Sequence, residues 1–221
     1  MKNIKVPEVS VVVTAYNEER YIGRCLRSLL HQKTDHFAYE VIVVNDASSD
    51  KTAYALELFG DAINVLNNEK NIGLPASINR AIMEARGKYI VRVDADDYVN
   101  INYLNFLKLY LDTNPHFDAV ACDYLLVDNL EDVISRCRAQ VDPIGCGILF
   151  QKHHLLQLGL YDTSFKRHEE KELRHRFDKQ FTMGFLDLPL YRYRRHENNI
   201  TNDLDLMVQH ERLLELKYSK D

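Results

Sequence analysis

Three carboxylates stand at the end of an apolar segment near the middle of the chain. Residues 88–93 are mostly apolar, and Asp94, Ala95, Asp96 and Asp97 follow directly. Neighbouring carboxylates cannot enter a core unpaired, so they mark the carboxyl end of a buried strand, where ligands bind in open α/β sheets. The Asp-x-Asp spacing lets two oxygens face one Mg²⁺ or Mn²⁺ whose other ligands are phosphate and water. A solvated acidic turn that caps the next helix is the alternative.

Arg92 stands inside this apolar segment. Strand alternation puts Ile90, Arg92 and Asp94 on one face, so the guanidinium of Arg92 must find a carboxylate within a core. Two interpretations of Arg92 stay open: it forms a structural ion pair, or it shapes the metal site.

The composition limits the class of protein. The chain has 221 residues, of which 46% are hydrophobic, enough for one large core. A formal net charge of -5 offers no basic field, so we expect no nucleic-acid partner. The four cysteines lack metal-ligand spacing and predict reduced thiols in a cytoplasmic protein. The apolar run 9–15 is too short to span a bilayer, so we predict no transmembrane segment.

Strand and helix patterns alternate over the first hundred residues. Apolar, β-branched runs predict strands at 9–14, 40–45, 63–66 and 88–93, with helices at about 18–32, 50–59 and 75–85. We expect Asn17 to cap the first helix, Pro75 to lie in the first turn of the third, and Gly87 to end it. The alternation predicts an α/β fold with a mostly parallel central sheet flanked by helices.

The pattern loosens beyond residue 100. We predict a helix capped by Asn100 that runs to about Asp112, a strand at 117–124 and a hairpin or excursion at 125–141. Helices at 152–158 and 169–179, a strand at 185–194 broken by Pro189 and a final amphipathic helix at 203–218 follow. The turn of the hairpin is expected at Asp128-Asn129. We find no repeat or linker and predict a single domain over 1–221.

Three polar motifs follow strands in this scheme. They are Thr14-Ala15-Tyr16-Asn17-Glu18, then Asn45 to Asp50, then Asp94 to Asp97. Together they resemble the inverting glycosyltransferases of family 2, which have the GT-A nucleotide-diphospho-sugar transferase fold. The resemblance covers about residues 7–202 and continues through Asn71-Ile72-Gly73 with Asn79, Gly159 to Phe165, Glu169 to Leu173, and Tyr191 to His196 with Asn199 and Thr201. It implies a nucleotide-sugar-binding half at about 7–100 and an acceptor-binding, catalytic half at about 101–202, followed by the C-terminal helix at about 203–221.

The resemblance implies a set of residues at the donor. They are Thr14, Ala15, Tyr16, Glu18, Asp46, Asn79, Asp94, Ala95 and Asp96. Tyr16 would offer a face to the base, and Asp46 would accept a hydrogen bond from a uracil-like N–H. Asp94 would reach the ribose or a metal-bound water, and Asp96 would bind Mn²⁺ or Mg²⁺ on the diphosphate. The alternatives are core packing for Tyr16 and capping of its own loop for Asp46.

The resemblance also implies a base and a second metal ligand. Family members take the base from a Glu-Asp motif at the start of a late helix, which here is Glu169-Glu170, and Glu170 falls on the catalytic position. Glutamate stands here in place of the family's aspartate, and its longer side chain leaves Glu169 open as the alternative base. A helix-start glutamate that the helix dipole favours is the structural alternative for Glu170. His196 would complete the metal shell, the alternative being a loop histidine bonded to the backbone. Asp97 is expected to cap the next helix. Ile78 and Ala81 replace an arginine and a glycine common in the family, so phosphate contacts from that helix are not expected.

The implied activity is metal-dependent, inverting transfer of a sugar, with a UDP-sugar as the favoured donor, to a hydroxyl of a saccharide or lipid-linked acceptor. Gly145 to Phe150 would form part of the acceptor wall. Surface polysaccharide or glycoconjugate synthesis is the expected setting, in the cytoplasm or peripherally at the inner face of the membrane, and the oligomeric state stays open. A sugar-phosphate nucleotidyltransferase is disfavoured because the loop 15–19 is acidic and lacks glycine. A non-catalytic nucleotide-sugar-binding protein is the other alternative.

Overall fold

A computed structural model describes residues 6–34, 36–197, 199 and 204–219, with only the backbone for 204–207. The strands are β1 (Val9–Ala15), β2 (Tyr39–Asn45), β3 (Asn64–Asn67), β4 (Tyr89–Arg92), β5 (Tyr98–Val99), β6 (Ala119–Val127), β7 (Val133–Cys137), β8 (Ile148–Gln151) and β9 (Met183–Arg194). The helices are α1 (Ile22–Leu30), α2 (Thr52–Glu57), α3 (Leu74–Glu84), α4 (Tyr103–Thr113), α5 (Lys152–Gln157), α6 (Glu169–Asp178) and α7 (Leu204–Tyr218), with a 3₁₀ turn at Gly60–Ala62.

The strands form one sheet in the order β3-β2-β1-β4-β8-β6-β9-β5, with β7 paired to β6. Strands β1 to β4 pair only in parallel with one another, as the alternating pattern predicts. Strand β8 then runs antiparallel between β4 and β6, and β6 and β9 are parallel again. The predicted α/β fold is confirmed, and the carboxyl ends of β1, β2 and β4 lie at one edge.

Apolar layers cover both faces of the sheet. In β1, Val11 and Val13 join the layer beneath α1 and α4, whereas Val12 joins the layer beneath α3 and α6. This is the alternation expected of a strand buried on both faces. The rigid two-sided core leaves the chemistry to the loops at the carboxyl edge.

Three predicted helix caps are wrong. Asn100 is not the cap of α4, which begins at Tyr103 directly after Asn102, although the Asn100 side-chain oxygen accepts a hydrogen bond from the Asn102 amide at 2.9 Å. Asn17 does not cap α1, which begins only at Ile22, because Asn17 has a φ of 59° and its side-chain oxygen accepts a hydrogen bond from the Ser49 amide at 2.8 Å. Gly87 does not end α3, whose last residue is Glu84. A Cβ at Gly87 would lie 2.6 Å from the Ser10 nitrogen, so glycine is required for close approach to β1.

The second half of the fold carries the predicted hairpin and late helices. The hairpin of β6 and β7 turns between Asp128 and Asp132, where the two backbones bond at 3.0 Å. Pro189 falls where the register of β9 against β6 shifts, so the strand continues past it. The predicted start of the final helix, Asp203, lies outside the described residues. Of the helices in the described part of the chain, none combines the length and apolar character needed to cross a bilayer.

Candidate active site

The loops after β1 and β2 are bonded to each other at the carboxyl edge of the sheet. The Asn17 amide donates to Ser48 Oγ at 3.0 Å, and the Glu18 amide donates to Thr52 Oγ1 at 2.8 Å. The Asp46 amide donates to the Ala15 carbonyl at 2.9 Å. Two of the three polar motifs are therefore held together, beside the end of β4.

The residues that the resemblance implies for the nucleoside pocket differ in their solvent exposure. Tyr16 is 50% exposed, so its ring face is open to a ligand, whereas Ala15 is buried and Thr14 is half-buried. Asp46 is 4% exposed and accepts hydrogen bonds from Asn68 Nδ2 at 2.7 Å and from the amides of Ile72 and Gly73 at 2.9 Å. Three of the roughly four acceptor positions of its carboxylate are thus used by the loop before α3 and not by its own loop, and its contact with a donor stays a prediction.

Asn79 uses its side-chain amide to hold a neighbouring turn. Its Nδ2 donates to the Tyr161 carbonyl at 2.8 Å, and its Oδ1 accepts from the Tyr161 amide at 2.9 Å. This reciprocal pair ties α3 to the turn that leads toward α6. The structure thereby shows a positioning contact for Asn79, and its role at the donor stays a prediction.

Asp96 and His196 meet although a hundred positions separate them in the chain. Asp96 Oδ2 lies 2.9 Å from His196 Nε2, and Asn199 Nδ2 lies 3.3 Å from the same oxygen. The His196 ring packs on the Tyr21 ring, with centroids 4.8 Å apart. The structure therefore brings together the two predicted metal ligands, and the motif residue Thr201 lies outside the described residues.

The donor set at Asp96 and His196 fits a small divalent cation. Adjacent ligands of an octahedral ion with bonds of about 2.1 Å lie about 3 Å apart, close to the Asp96–His196 separation. A carboxylate oxygen with a neutral imidazole nitrogen suits Mn²⁺ in particular, and Mg²⁺ through the carboxylate and water. The two side chains could thus ligate one ion with little movement.

Negative charge is concentrated around this pair. Burial, and then the charges of Asp96, Asp94 and Asp50, raise the pKa of Glu18 from 4.5 to about 8. Opposite charge nearby would reverse such a shift. The crowding of carboxylates is a second feature that fits a bound cation.

The Glu18→Gln variant should gain stability over the wild type as pH rises. Because the folded pKa of Glu18 is raised to about 8, the folded wild type keeps a proton that the unfolded chain releases above about 4.5, so its stability falls between these values. Glutamine removes this loss, which is at most about 5 kcal/mol at pH 8 and less after screening by solvent, and which is small at pH 4.5. Urea unfolding in EDTA at both pH values measures it. An equal difference at the two pH values would contradict the assignment.

Asp97 enters the core, which corrects its expected role as a helix cap. It is 1% exposed, and its carboxylate accepts hydrogen bonds from the Tyr191 hydroxyl at 2.6 Å and the Arg194 amide at 2.7 Å. Burial raises its pKa well above the ordinary range. In the described part of the chain, one carboxylate oxygen each of Asp94 and Asp97 and the sulfur of Cys146 lie within 4.8 Å of one another, and each of these atoms is of a type that can bind a metal. The hydrogen bonds from β9 give Asp97 the task of fixing the Asp-rich loop.

The two candidate bases at the start of α6 differ in their surroundings. Glu169 is 4% exposed and accepts a hydrogen bond from Arg92 Nη1 at 2.8 Å. Burial, and then the charge of Glu170, raise the pKa of Glu169 to about 7. Glu170 is half-buried, and among the described residues its carboxylate has no hydrogen-bond or ion-pair partner. This difference favours Glu170 as the group that can reach a substrate.

Sequence reasoning predicted the turn of the β6–β7 hairpin at Asp128-Asn129 but missed Glu131 at its tip. Glu131, in a left-handed conformation with φ of 68°, accepts from Arg24 Nε at 2.9 Å and Arg194 Nη2 at 3.2 Å. Arg194 in turn donates to the Asp96 carbonyl at 2.9 Å. No residue pattern marks Glu131, because its partners lie in α1 and at the end of β9. The hairpin tip supports the Asp96 loop from outside.

Comparisons with known proteins place the chain. The family model described as glycosyl transferase family 2 matches residues 10–145. An uncharacterised glycosyltransferase of Haemophilus influenzae is 36% identical over 117 residues, which are 52% of this chain and 36% of that protein. The chain thus spans about a third of the length of this curated relative.

Solved structures show the same fold. The Staphylococcus aureus protein TarS, residues 1–349, in complex with UDP-GlcNAc has a TM-score of 0.76 at 23% identity, covering 95% of this chain and 66% of that one. The mannosyltransferase PcManGT of Pyrobaculum calidifontis, in complex with GDP-Man and Mn²⁺, has a TM-score of 0.77 at 20% identity, covering 97% and 65%. The match to the family model, together with the fold and the polar motifs at the ends of its strands, shows that this chain belongs to glycosyl transferase family 2 and has the GT-A fold.

Proposed function

We propose that this chain transfers a sugar from a nucleotide-sugar donor to a hydroxyl of a saccharide or lipid-linked acceptor, with inversion at the anomeric carbon. The observation that carries the proposal is the pairing of Asp96 with His196 at the carboxyl edge of the sheet. The half-buried Glu170 follows Glu169, whose carboxylate is held by Arg92 at the end of β4. Similar structures contain UDP, UDP-GlcNAc and GDP-Man. A UDP-sugar is our favoured donor.

Asp96 and His196 would hold Mn²⁺ or Mg²⁺ against the diphosphate. The bound cation would neutralise the negative charge that the diphosphate acquires on leaving. The exposed face of Tyr16 would stack on the base, and Glu18 and Asp94 would border the ribose. This chain's own residues thereby bind and orient the donor at the carboxyl edge of the sheet.

Glu170 would serve as the general base. As the acceptor oxygen attacks the anomeric carbon from the face opposite the diphosphate, its proton passes to the Glu170 carboxylate and the bond to the diphosphate breaks. A single displacement of this kind inverts the anomeric configuration. Glu169 has its carboxylate held by Arg92, so it is less able to reach the acceptor.

The His196→Ala variant should need more metal. Loss of one ligand weakens the site, so the metal concentration for half-maximal activity should rise by about 10-fold or more. A Mn²⁺ titration of the transfer rate measures it, with His36→Ala, on the exposed segment before β2, as the matched control. An unchanged metal requirement would return His196 to a structural role.

The setting we propose is surface polysaccharide or glycoconjugate synthesis in the cytoplasm, with peripheral contact to the membrane if the acceptor is lipid-linked. The test of the proposal is mass spectrometry after incubation with a panel of sugar nucleotides, Mn²⁺ and acceptor glycosides. We expect one donor to lose its sugar and release nucleoside diphosphate. In a parallel incubation with nucleoside triphosphates and sugar phosphates, release of pyrophosphate would indicate a nucleotidyltransferase instead. Binding of a donor without any turnover would indicate a non-catalytic binding protein.

A further inference from the structure

Arg92 joins two segments that carry acidic residues. The side chain leaves the end of β4 and is 8% exposed. Its Nε and Nη2 donate to the two oxygens of Asp94 at 2.6 and 3.1 Å, and its Nη1 donates to Glu169 Oε1 at 2.8 Å. A planar guanidinium fixes the angle between two carboxylates, which an ammonium cannot do. Arg92 therefore fixes the position of Asp94 relative to Glu169, the first residue of α6.

The backbone at Gly145 completes this arrangement. A Cβ at Gly145 would lie 2.7 Å from Glu170 Cβ and 3.4 Å from Arg92 Nη1, so only glycine lets the chain pass here. The Cβ end of the Glu170 side chain is thus confined between the backbone at residue 145 and the start of α6, which Arg92 holds. Glu170 has little room to move relative to Asp94.

We propose that Arg92 is a positioning residue for sugar transfer, which holds Asp94 and Glu169 together and so places the Glu170 carboxylate relative to the bound donor. The inference rests on the proposed function. It also goes further than a structural ion pair, because breaking a structural pair would lower stability without any link to the group that takes the proton. The two roles can be separated by kinetics.

A double-mutant cycle on Arg92 and Glu170 separates a positioning role of Arg92 from a purely structural one. Arg92→Met should slow transfer at saturating donor and acceptor by about 10²-fold, the cost of a misplaced catalytic group. In the Glu170→Gln background the same change should slow transfer by less than about 3-fold, because residues that act as a unit are not additive. Slowing by the same factor in both backgrounds would overturn the proposal.

Two further variants control for folding and for charge. Arg92→Lys keeps a buried cation but cannot bind both carboxylates, so it should fold and still slow transfer by about 10-fold. Arg86 makes a similar contact at the opposite end of β4, where its Nε and Nη2 donate to Glu40 Oε2 at 2.9 and 2.7 Å. Arg86→Met should change the transfer rate by less than about 2-fold. Wild-type rates in Arg92→Lys would contradict the proposal.

Hydrogen–deuterium exchange tests the positioning without using activity. Arg92→Met should speed amide exchange at residues 172–175, whose N–H groups bond to carbonyls at the start of α6, by about 10-fold while β1 stays protected. Unchanged exchange there would overturn the proposal even if every variant were slow. A wild type that transfers no sugar would refute the proposed function, whereas faster exchange in that case would still show that Arg92 anchors the helix.

Discussion

Replacing Glu170 by glutamine should slow sugar transfer by about 10²-fold or more, the usual contribution of a positioned base. Glutamine keeps the size of the side chain but cannot accept a proton at neutral pH. Because Glu170 lies at the start of α6, away from the Asp96–His196 pair, nucleotide affinity should be retained. Steady-state transfer rates together with calorimetric titration of the nucleoside diphosphate measure both effects.

Two other glutamates serve as comparisons for Glu170. Glu84→Gln, at the exposed end of α3, should leave the transfer rate unchanged within about 2-fold. Glu169→Gln disturbs the contact with Arg92 and should reduce the rate less than Glu170→Gln does. If Glu169→Gln were inactive and Glu170→Gln active, the assignment would be shifted by one residue.

Removal of the metal, or of Asp96, should abolish turnover. Asp96→Ala deletes the oxygen that faces His196, so we expect a loss of about 10²-fold or more, as when an electrostatic stabiliser of a leaving group is lost. EDTA should abolish wild-type activity, and added Mn²⁺ or Mg²⁺ should restore it. Transfer rates across a metal titration measure the effect.

The matched control for Asp96 is Asp61→Ala, an exposed acid in the 3₁₀ turn Gly60–Ala62. It should keep wild-type activity and wild-type metal dependence. Full turnover of Asp96→Ala in the presence of EDTA would contradict both the metal dependence of the reaction and the assignment of Asp96 as a metal ligand.

The parallel half of the sheet could be predicted because its strands are continuous apolar runs. Buried strands such as β1 and β4 need apolar residues on both faces, and the polar residues that follow them mark the carboxyl edge. The embedded guanidinium of Arg92 likewise predicted a carboxylate partner, and the structure confirms it with the buried Glu169 and the half-buried Asp94.

Contacts between distant segments could not be predicted from local pattern. Asp97 stands in a run of acids that suggests a solvated turn, yet the Tyr191 hydroxyl and Arg194 amide of β9 satisfy it inside the core. Asn17 has the residue type of a helix cap, but its left-handed backbone directs the side chain to Ser49 instead. In both cases tertiary hydrogen bonds overrode a local preference.

The motif residues Asp46 and Asn79 show a second limit of sequence reasoning. Both match a donor-binding motif by resemblance, but the structure shows their polar atoms bonded within the loop before α3 and to Tyr161. A sequence motif can therefore reflect the residues needed to build a loop as well as the atoms that contact a ligand. Their direct contacts with a donor stay predictions.

The anomeric configuration of the first product tests the account most directly. With an α-linked UDP-sugar, Mn²⁺ and water as the acceptor, proton NMR can observe the released sugar before it mutarotates. A single displacement with Glu170 as base predicts that the β-anomer appears first. Initial release of the α-anomer would contradict the proposed mechanism.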